Sequence, residues 1–255
     1  MMIQKGLRSY SSNFFARRTQ AVVSTFKLLL ALVAFAAIST QAHAGSATIT
    51  NVEQMSGWKA CTGCAGGGEQ AIYWKKTGQT SPSLDGKSTQ FFVGGSVPFS
   101  HGLWWRWMSG DGAATRFTVK MSYYIKNPAA SQGLEFAANQ ATGGKWYKFS
   151  TQCSFASKIW RVWDSANHRW TNTSIACTRP PAYSWTNVVF EYARQDGRAK
   201  FLSITINGKK YYVNKSFGPE LKSFDPSIGI HFQLNGNQYQ HDYSVWADKF
   251  SLSYY

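Results

Sequence analysis

Arg116-Phe117-Thr118-Val119-Lys120-Met121-Ser122-Tyr123-Tyr124-Ile125-Lys126 decides the fold class. Phe117, Val119, Met121, Tyr123 and Ile125 fall on one side of an extended chain, with Arg116, Thr118, Lys120, Ser122, Tyr124 and Lys126 on the other. That period of two is the mark of a half-buried strand. The same alternation recurs downstream. Leu202, Ile204 and Ile206 alternate with Ser203 and Thr205, and Ile228, Ile230, Phe232 and Leu234 with Gly229, His231, Gln233 and Asn235. Asp196-Gly197 and Asn207-Gly208 separate such runs and suit two-residue hairpins that need positive φ. Pro128, Pro180-Pro181 and Pro226 fall between runs, where a missing N–H removes no ladder bond. After Gly45 no stretch carries a 3.6-residue apolar stripe. The sequence therefore predicts an all-β domain, and so many one-faced strands require two facing sheets, an antiparallel β-sandwich.

Residues 1–44 read as a cleavable signal peptide and 45–255 as one domain. Lys5, Arg8, Arg17, Arg18 and Lys27 precede any acid, an apolar run extends from Leu28 to Ile38, and Ala42-His43-Ala44 offers a small-residue cleavage site. The apolar run is too short to span a bilayer, which needs about 20 residues, so no membrane span is expected after cleavage. The chain carries +15, with 27 Lys and Arg against 12 Asp and Glu. With the five leader cations removed, about +10 remains. The basic residues are scattered, with no block and no nucleic-acid motif, so a solvated basic surface is expected rather than a nucleic-acid groove.

All four cysteines, Cys61, Cys64, Cys153 and Cys177, follow the leader. An even number in an exported chain reads as two disulfides, and local pairing predicts Cys61–Cys64 and Cys153–Cys177. A zinc or redox role for Cys-Thr-Gly-Cys lacks a second CxxC and an ensuing helix. The location implied is extracellular or periplasmic.

All eleven tryptophans also follow the leader. In Trp104-Trp105-Arg106-Trp107, alternation puts Trp105 and Trp107 in the core if Trp104 and Arg106 share the polar face. An exposed indole beside guanidinium and amide groups suits a sugar, whose C–H face packs on the ring while its hydroxyls take hydrogen bonds. The other reading is that these indoles simply fill the core. In Leu134–Gln140, alternation leaves Glu135, Ala137 and Asn139 opposite the core. In Ile230–Asn237 it leaves His231, Gln233 and Asn235. Together these make a hydrogen-bonding floor with little charge, or an ordinary solvated face.

Several segments resemble the concanavalin A-like lectin/glucanase superfamily, in particular a group of secreted bacterial domains. They are Ser81-Pro82-Ser83-Leu84, Leu134-Glu135-Phe136, Thr151-Gln152-Cys153, Trp160–Asp164, Ile175-Ala176-Cys177, Val213-Asn214 and Ser244–Asp248. The resemblance implies a jelly-roll sandwich that hosts lectins, hydrolases, lyases and adhesion modules alike. Its glucanases carry an E-x-D-x-E strand, where this chain offers Glu135, Ala137 and Asn139. A retaining mechanism needs two carboxyls about 5–5.5 Å apart, and Glu191 or Asp164 would have to supply the second. Lyases of similar shape need a group to neutralise a uronate and a His or Tyr to move a proton. His231, Tyr124 and Arg106 would fill those roles, although R-x-E-x-R is absent and His231-Phe232-Gln233 reverses the order of that family's Q-x-H. Calcium would need clustered oxygen ligands, whereas Asp85, Asp111, Asp164, Asp225, Asp242 and Asp248 are isolated in sequence. No cofactor is expected, with a structural calcium left open.

The expectation is thus a secreted, lectin-like, non-catalytic domain that binds a neutral or acidic poly- or oligosaccharide through Trp104, Arg106, Glu135, Asn139, His231, Gln233 and Asn235. The alternatives are a polysaccharide-cleaving enzyme built on Glu135, His231 and Tyr124, and a structural or adhesion domain.

Overall fold

The computed structural model describes residues 45–64, 71–110, 112–222 and 225–255. The expected signal peptide therefore lies outside the described residues, as does Asp111.

The described residues form sixteen strands: β1 (Ala47–Ile49), β2 (Lys59–Cys61), β3 (Ile72–Gln79), β4 (Ser88–Gly94), β5 (His101–Ser109), β6 (Arg116–Ile125), β7 (Ser131–Thr142) and β8 (Lys145–Ser154), followed by β9 (Ile159–Asp164), β10 (Arg169–Ala176), β11 (Ser184–Gln195), β12 (Arg198–Ile206), β13 (Lys209–Phe217), β14 (Glu220–Leu221), β15 (Ser227–Gly236) and β16 (Tyr243–Tyr254). They form two eight-stranded antiparallel sheets. The first runs β13-β12-β11-β6-β16-β4-β3, with β1 on β16; the second runs β10-β9-β8-β7-β15-β5-β2, with β14 on β8.

The core is the layer between the sheets, and alternation builds it. Phe117, Val119, Met121, Tyr123 and Ile125 point inward from β6, and Ile228, Ile230, Phe232 and Leu234 from β15. Aromatic pairs bridge the layers: Phe91 meets Phe232 with ring centroids 5.1 Å apart, Phe136 meets Phe190 at 5.1 Å, and Phe149 meets Tyr192 at 5.2 Å. Such pairs add about 0.5–1.5 kcal/mol each beyond the area they bury. The two hairpin turns are as the sequence predicts. Asp196 and Gly197 have φ of 54° and 67°, and Asn207 and Gly208 have 46° and 84°, the left-handed pair that matches strand twist.

β12 departs from simple alternation. A bulge between Phe201 and Ser203 shifts the phase, so Phe201 and Ile204 are core residues while Leu202 is half-exposed.

Both disulfides are formed, Cys61–Cys64 and Cys153–Cys177. The second joins β8 to the residue after β10 and so passes across the intervening β9. No described helix is long and apolar enough to cross a membrane.

Candidate functional site

The outer face of the second sheet carries a groove of about 390 Å³, within the usual range for a ligand site. Strand register composes it in rows. One row runs Arg161–Gln152–Glu135–Gln233–Leu103 across β9, β8, β7, β15 and β5. The next runs Ser150–Ala137–His231–Trp105, and the one beyond it Lys148–Asn139–Gly229–Trp107. Because side chains two apart share a face, five strands deliver amides, a hydroxyl, an imidazole, a carboxylate and two cations to one surface.

A directed hydrogen-bond chain fixes the centre. The Trp146 indole Nε1–H can only donate, and it donates to Asn139 Oδ1 at 3.1 Å. The Asn139 amide is thereby oriented, and its Nδ2 faces His231 Nδ1 at 3.3 Å. Nδ1 must then accept, which leaves the imidazole proton on Nε2. Nε2–H donates to Glu135 Oε1 at 2.8 Å, with Ser150 Oγ also near at 3.4 Å. The tautomer follows from these partners. Beside the chain, Gln233 Nε2 donates to Asn235 Oδ1 at 2.7 Å, and Asn235 Nδ2 to the Gly133 carbonyl at 3.3 Å. His101, opposite Asn235 on β5, is buried; burial pushes its pKa down, against the opposing charge of Glu135.

Indoles wall the groove. Trp163 and Trp170 meet edge to face at 5.3 Å on the β9–β10 side. Trp146 stands at the other end, with Trp107 packed beside it at 6.1 Å. Trp107 reaches across β15 because Gly229 lies beneath it: a Cβ there would sit 2.8 Å from Trp107 Cε3. Lys148 stands 3.8 Å above the Trp146 ring and pairs with Glu220 at 2.5 Å. Arg161 donates from Nε to Gln152 Oε1 at 2.6 Å and lies 5.0 Å over the Trp170 ring.

Of the residues singled out in the sequence, the structure brings Glu135, Asn139, His231, Gln233 and Asn235 onto this one face. It does not bring the other three. Trp104 is in the core, 2 % exposed, against Tyr73 and Phe91. Arg106 shares that inward side and donates to the Ser56 carbonyl. The phase of β5 is thus one residue from the expected one, and Trp105 and Trp107 take the outer face. The physical reason is that Trp104 pairs with Phe232 and Arg106 with Ile230, both inward on β15. Tyr124 belongs to the first sheet, where it packs on Trp185 and Trp246, so it is no neighbour of His231. Nor do the other carboxylates approach Glu135. Asp164 accepts from Asn167 N–H and Nδ2 at 3.2 and 2.8 Å. Glu191 lies on β11 of the first sheet, where Lys210 and Ser203 hold its pKa down. Among the described residues no three His, Cys, Asp or Glu side chains come together as a metal-binding group.

The sequence reading missed Trp146, Lys148, Ser150, Gln152, Arg161, Trp163 and Trp170. The signal was present in β8, where Trp146, Lys148, Ser150 and Gln152 alternate with the core residues Tyr147, Phe149, Thr151 and Cys153.

No family model matches the chain, and no curated protein matches it. Among solved structures it is similar to an endo-β-1,4-glucuronan lyase from the fungus Trichoderma reesei, with TM-score 0.46, 12 % identity and coverage of 76 % of this chain and 94 % of that one. It is similar to the lectin-like defense protein arcelin-5 of Phaseolus vulgaris, with TM-score 0.44, 12 % identity and coverage of 78 % and 98 %. A family 11 carbohydrate-binding module from Clostridium thermocellum, in complex with a mixed-linked tetrasaccharide, gives TM-score 0.41, 12 % identity and coverage of 82 % and 95 %.

Proposed function

We propose that this chain is a secreted, lectin-like, non-catalytic domain that binds a poly- or oligosaccharide in the groove of the second sheet. One observation carries the reading: indole walls flank a floor of amides, hydroxyl and imidazole on a single rigid sheet face. Indoles give a pyranose its apolar plate, and the floor supplies fixed donors and acceptors. The two disulfides support export to an oxidising compartment.

A second reading, polysaccharide cleavage, takes its support from the His231–Glu135 pair at 2.8 Å. The local chemistry opposes it. Among the described residues Glu135 is the single carboxylate that lines the groove, whereas glycoside hydrolysis uses two. The acceptor nitrogen of His231 faces Asn139 and its donor nitrogen faces Glu135, so no lone pair is left to take a substrate proton. Ser150 and Glu135 approach the same ring nitrogen, whereas a serine–histidine–acid triad needs them on opposite ones.

Titration calorimetry of residues 45–255 against neutral and acidic oligosaccharides tests the proposal. A bound saccharide is expected, and Trp170→Ala should weaken it by about 2 kcal/mol or more, the scale of a central aromatic anchor. Absence of binding across the panel, or release of reducing ends or unsaturated uronates by the wild type, would overturn it.

A further inference from the structure

The charges of the groove are unevenly satisfied. Lys148 pairs with Glu220, and Glu135 accepts a hydrogen bond from the neutral His231. Arg161 has no carboxylate within ion-pairing distance among the described residues; its one hydrogen bond runs from Nε to the neutral Gln152 amide. Register places Gln152 between Arg161 and Glu135, so the Glu135 charge is felt at Arg161 without touching it. The guanidinium is half-buried against Trp170, and among the described residues no partner meets its two Nη nitrogens. A partly desolvated cation without a counter-ion is costly, and the planar fork of Arg matches a carboxylate through two parallel hydrogen bonds. With Nε held by Gln152 and one face on an indole, the fork is already positioned.

We infer that the ligand of this groove is an acidic saccharide, a uronic-acid oligomer whose carboxylate pairs with the Arg161 guanidinium. The inference rests on the groove being a saccharide site and specifies its substrate class. Trp170 and Trp163 would carry the ring that bears the carboxylate, and Gln152 acts as a positioning residue for the guanidinium. The positive surplus of the chain outside the leader adds long-range attraction for a polyanion.

The test compares hexamers of 1,4-linked glucuronate, galacturonate, mannuronate and guluronate with their carboxyl-reduced neutral counterparts and with a sulfated neutral hexamer, by titration calorimetry at two salt concentrations. At least one uronate is expected to bind about tenfold or more tighter than its reduced form, the scale of one charge-assisted pair. Arg161→Gln should erase that preference, so that the uronate binds no tighter than its reduced form, because the ion pair is the term that separates the two ligands. Arg161→Lys should restore only part of it, since it keeps the charge without the fork. Equal or tighter binding of the reduced hexamers overturns the inference and leaves the saccharide reading standing. Binding of the sulfated hexamer alone overturns the carboxylate assignment. Binding of none of them removes the saccharide reading itself. Should Arg161→Gln fail to fold, the uronate-against-reduced comparison on the wild type still decides.

Discussion

Asn139 shows how one amide can set the chemistry of a site. Its Oδ1 is claimed by an indole that cannot accept, so its Nδ2 must face His231. The proton of the imidazole is thereby assigned to Nε2, where it joins Glu135. At pH 8, ¹⁵N chemical shifts of His231 should report the Nε2–H tautomer; an Nδ1–H signature would break this chain of assignments. Glu135 is then an acceptor toward His231 with a second oxygen left for a ligand. Glu135→Gln keeps an oxygen for the imidazole and removes the charge. If the groove binds saccharide as proposed, this should change affinity by about one charge-assisted hydrogen bond, roughly 1.5–3 kcal/mol. Wild-type cleavage that this substitution eliminates, measured by reducing ends, would make Glu135 a catalytic residue.

At the scale of the element, what could be read from sequence was decided by contrast between the two faces of a strand. β6 and β15 carry apolar residues on one side and polar ones on the other, and their phases are legible without a structure. β5 is not legible in that way. His101-Gly102-Leu103-Trp104-Trp105-Arg106-Trp107 is aromatic on both sides, and only pairing with β15 tells which side is core. For the same reason the shared face of Glu135, His231 and Gln233 was legible and the indole walls were not: a tryptophan looks the same in sequence whether it fills a core or lines a groove. The short 3₁₀ segment Val52–Gln54 was invisible as well, yet it buries Glu53. Phe250 N–H donates to Glu53 Oε2 at 3.2 Å, while Oε1 is unpartnered among the described residues. Burial foremost, with the Asp248 and Asp85 charges, raises its pKa from 4.5 to about 7. A carboxyl with a raised folded-state pKa favours folding most below its unfolded value, and that contribution is lost as pH climbs through the folded one. Between pH 4.5 and 7, Glu53 should therefore remove on the order of 3 kcal/mol of stability. Neighbouring Lys75, whose pKa burial lowers to about 8, titrates above that window. Urea denaturation should find Glu53→Gln more stable than wild type at pH 8 and not at pH 4; parallel pH profiles for the two proteins would refute the assignment.

For the whole molecule, the question is what keeps an open two-sheet sandwich rigid enough to present a shaped groove. The aromatic bridges between the layers fasten its middle. The edge of the second sheet is different, because β9 and β10 form its end and carry Arg161, Trp163 and Trp170 outward. Cys153–Cys177 ties that edge back to β8. The bridge closes a sequence separation of 24 residues, against 3 for Cys61–Cys64. Restricting the unfolded chain over those lengths is worth about 3.5 kcal/mol for the first and about 2 kcal/mol for the second on the loop-entropy scale. Both cysteines of the long bridge are buried, so alanine is the proper replacement; serine would add an unpaired hydroxyl to the core. Cys153→Ala with Cys177→Ala should lower the unfolding free energy by more than Cys61→Ala with Cys64→Ala, by a margin of about 1–2 kcal/mol in urea. The long-bridge variant should also bind saccharide more weakly at temperatures where it is still folded, because a loosened β9–β10 edge displaces the indole pair and the guanidinium together. Cys64 also lines the groove, so the short-bridge variant controls for a merely local disturbance. Equal destabilisation by the two pairs would refute the loop-length argument, and unaltered affinity in the long-bridge variant would show that the edge strands hold their shape through the sheet alone.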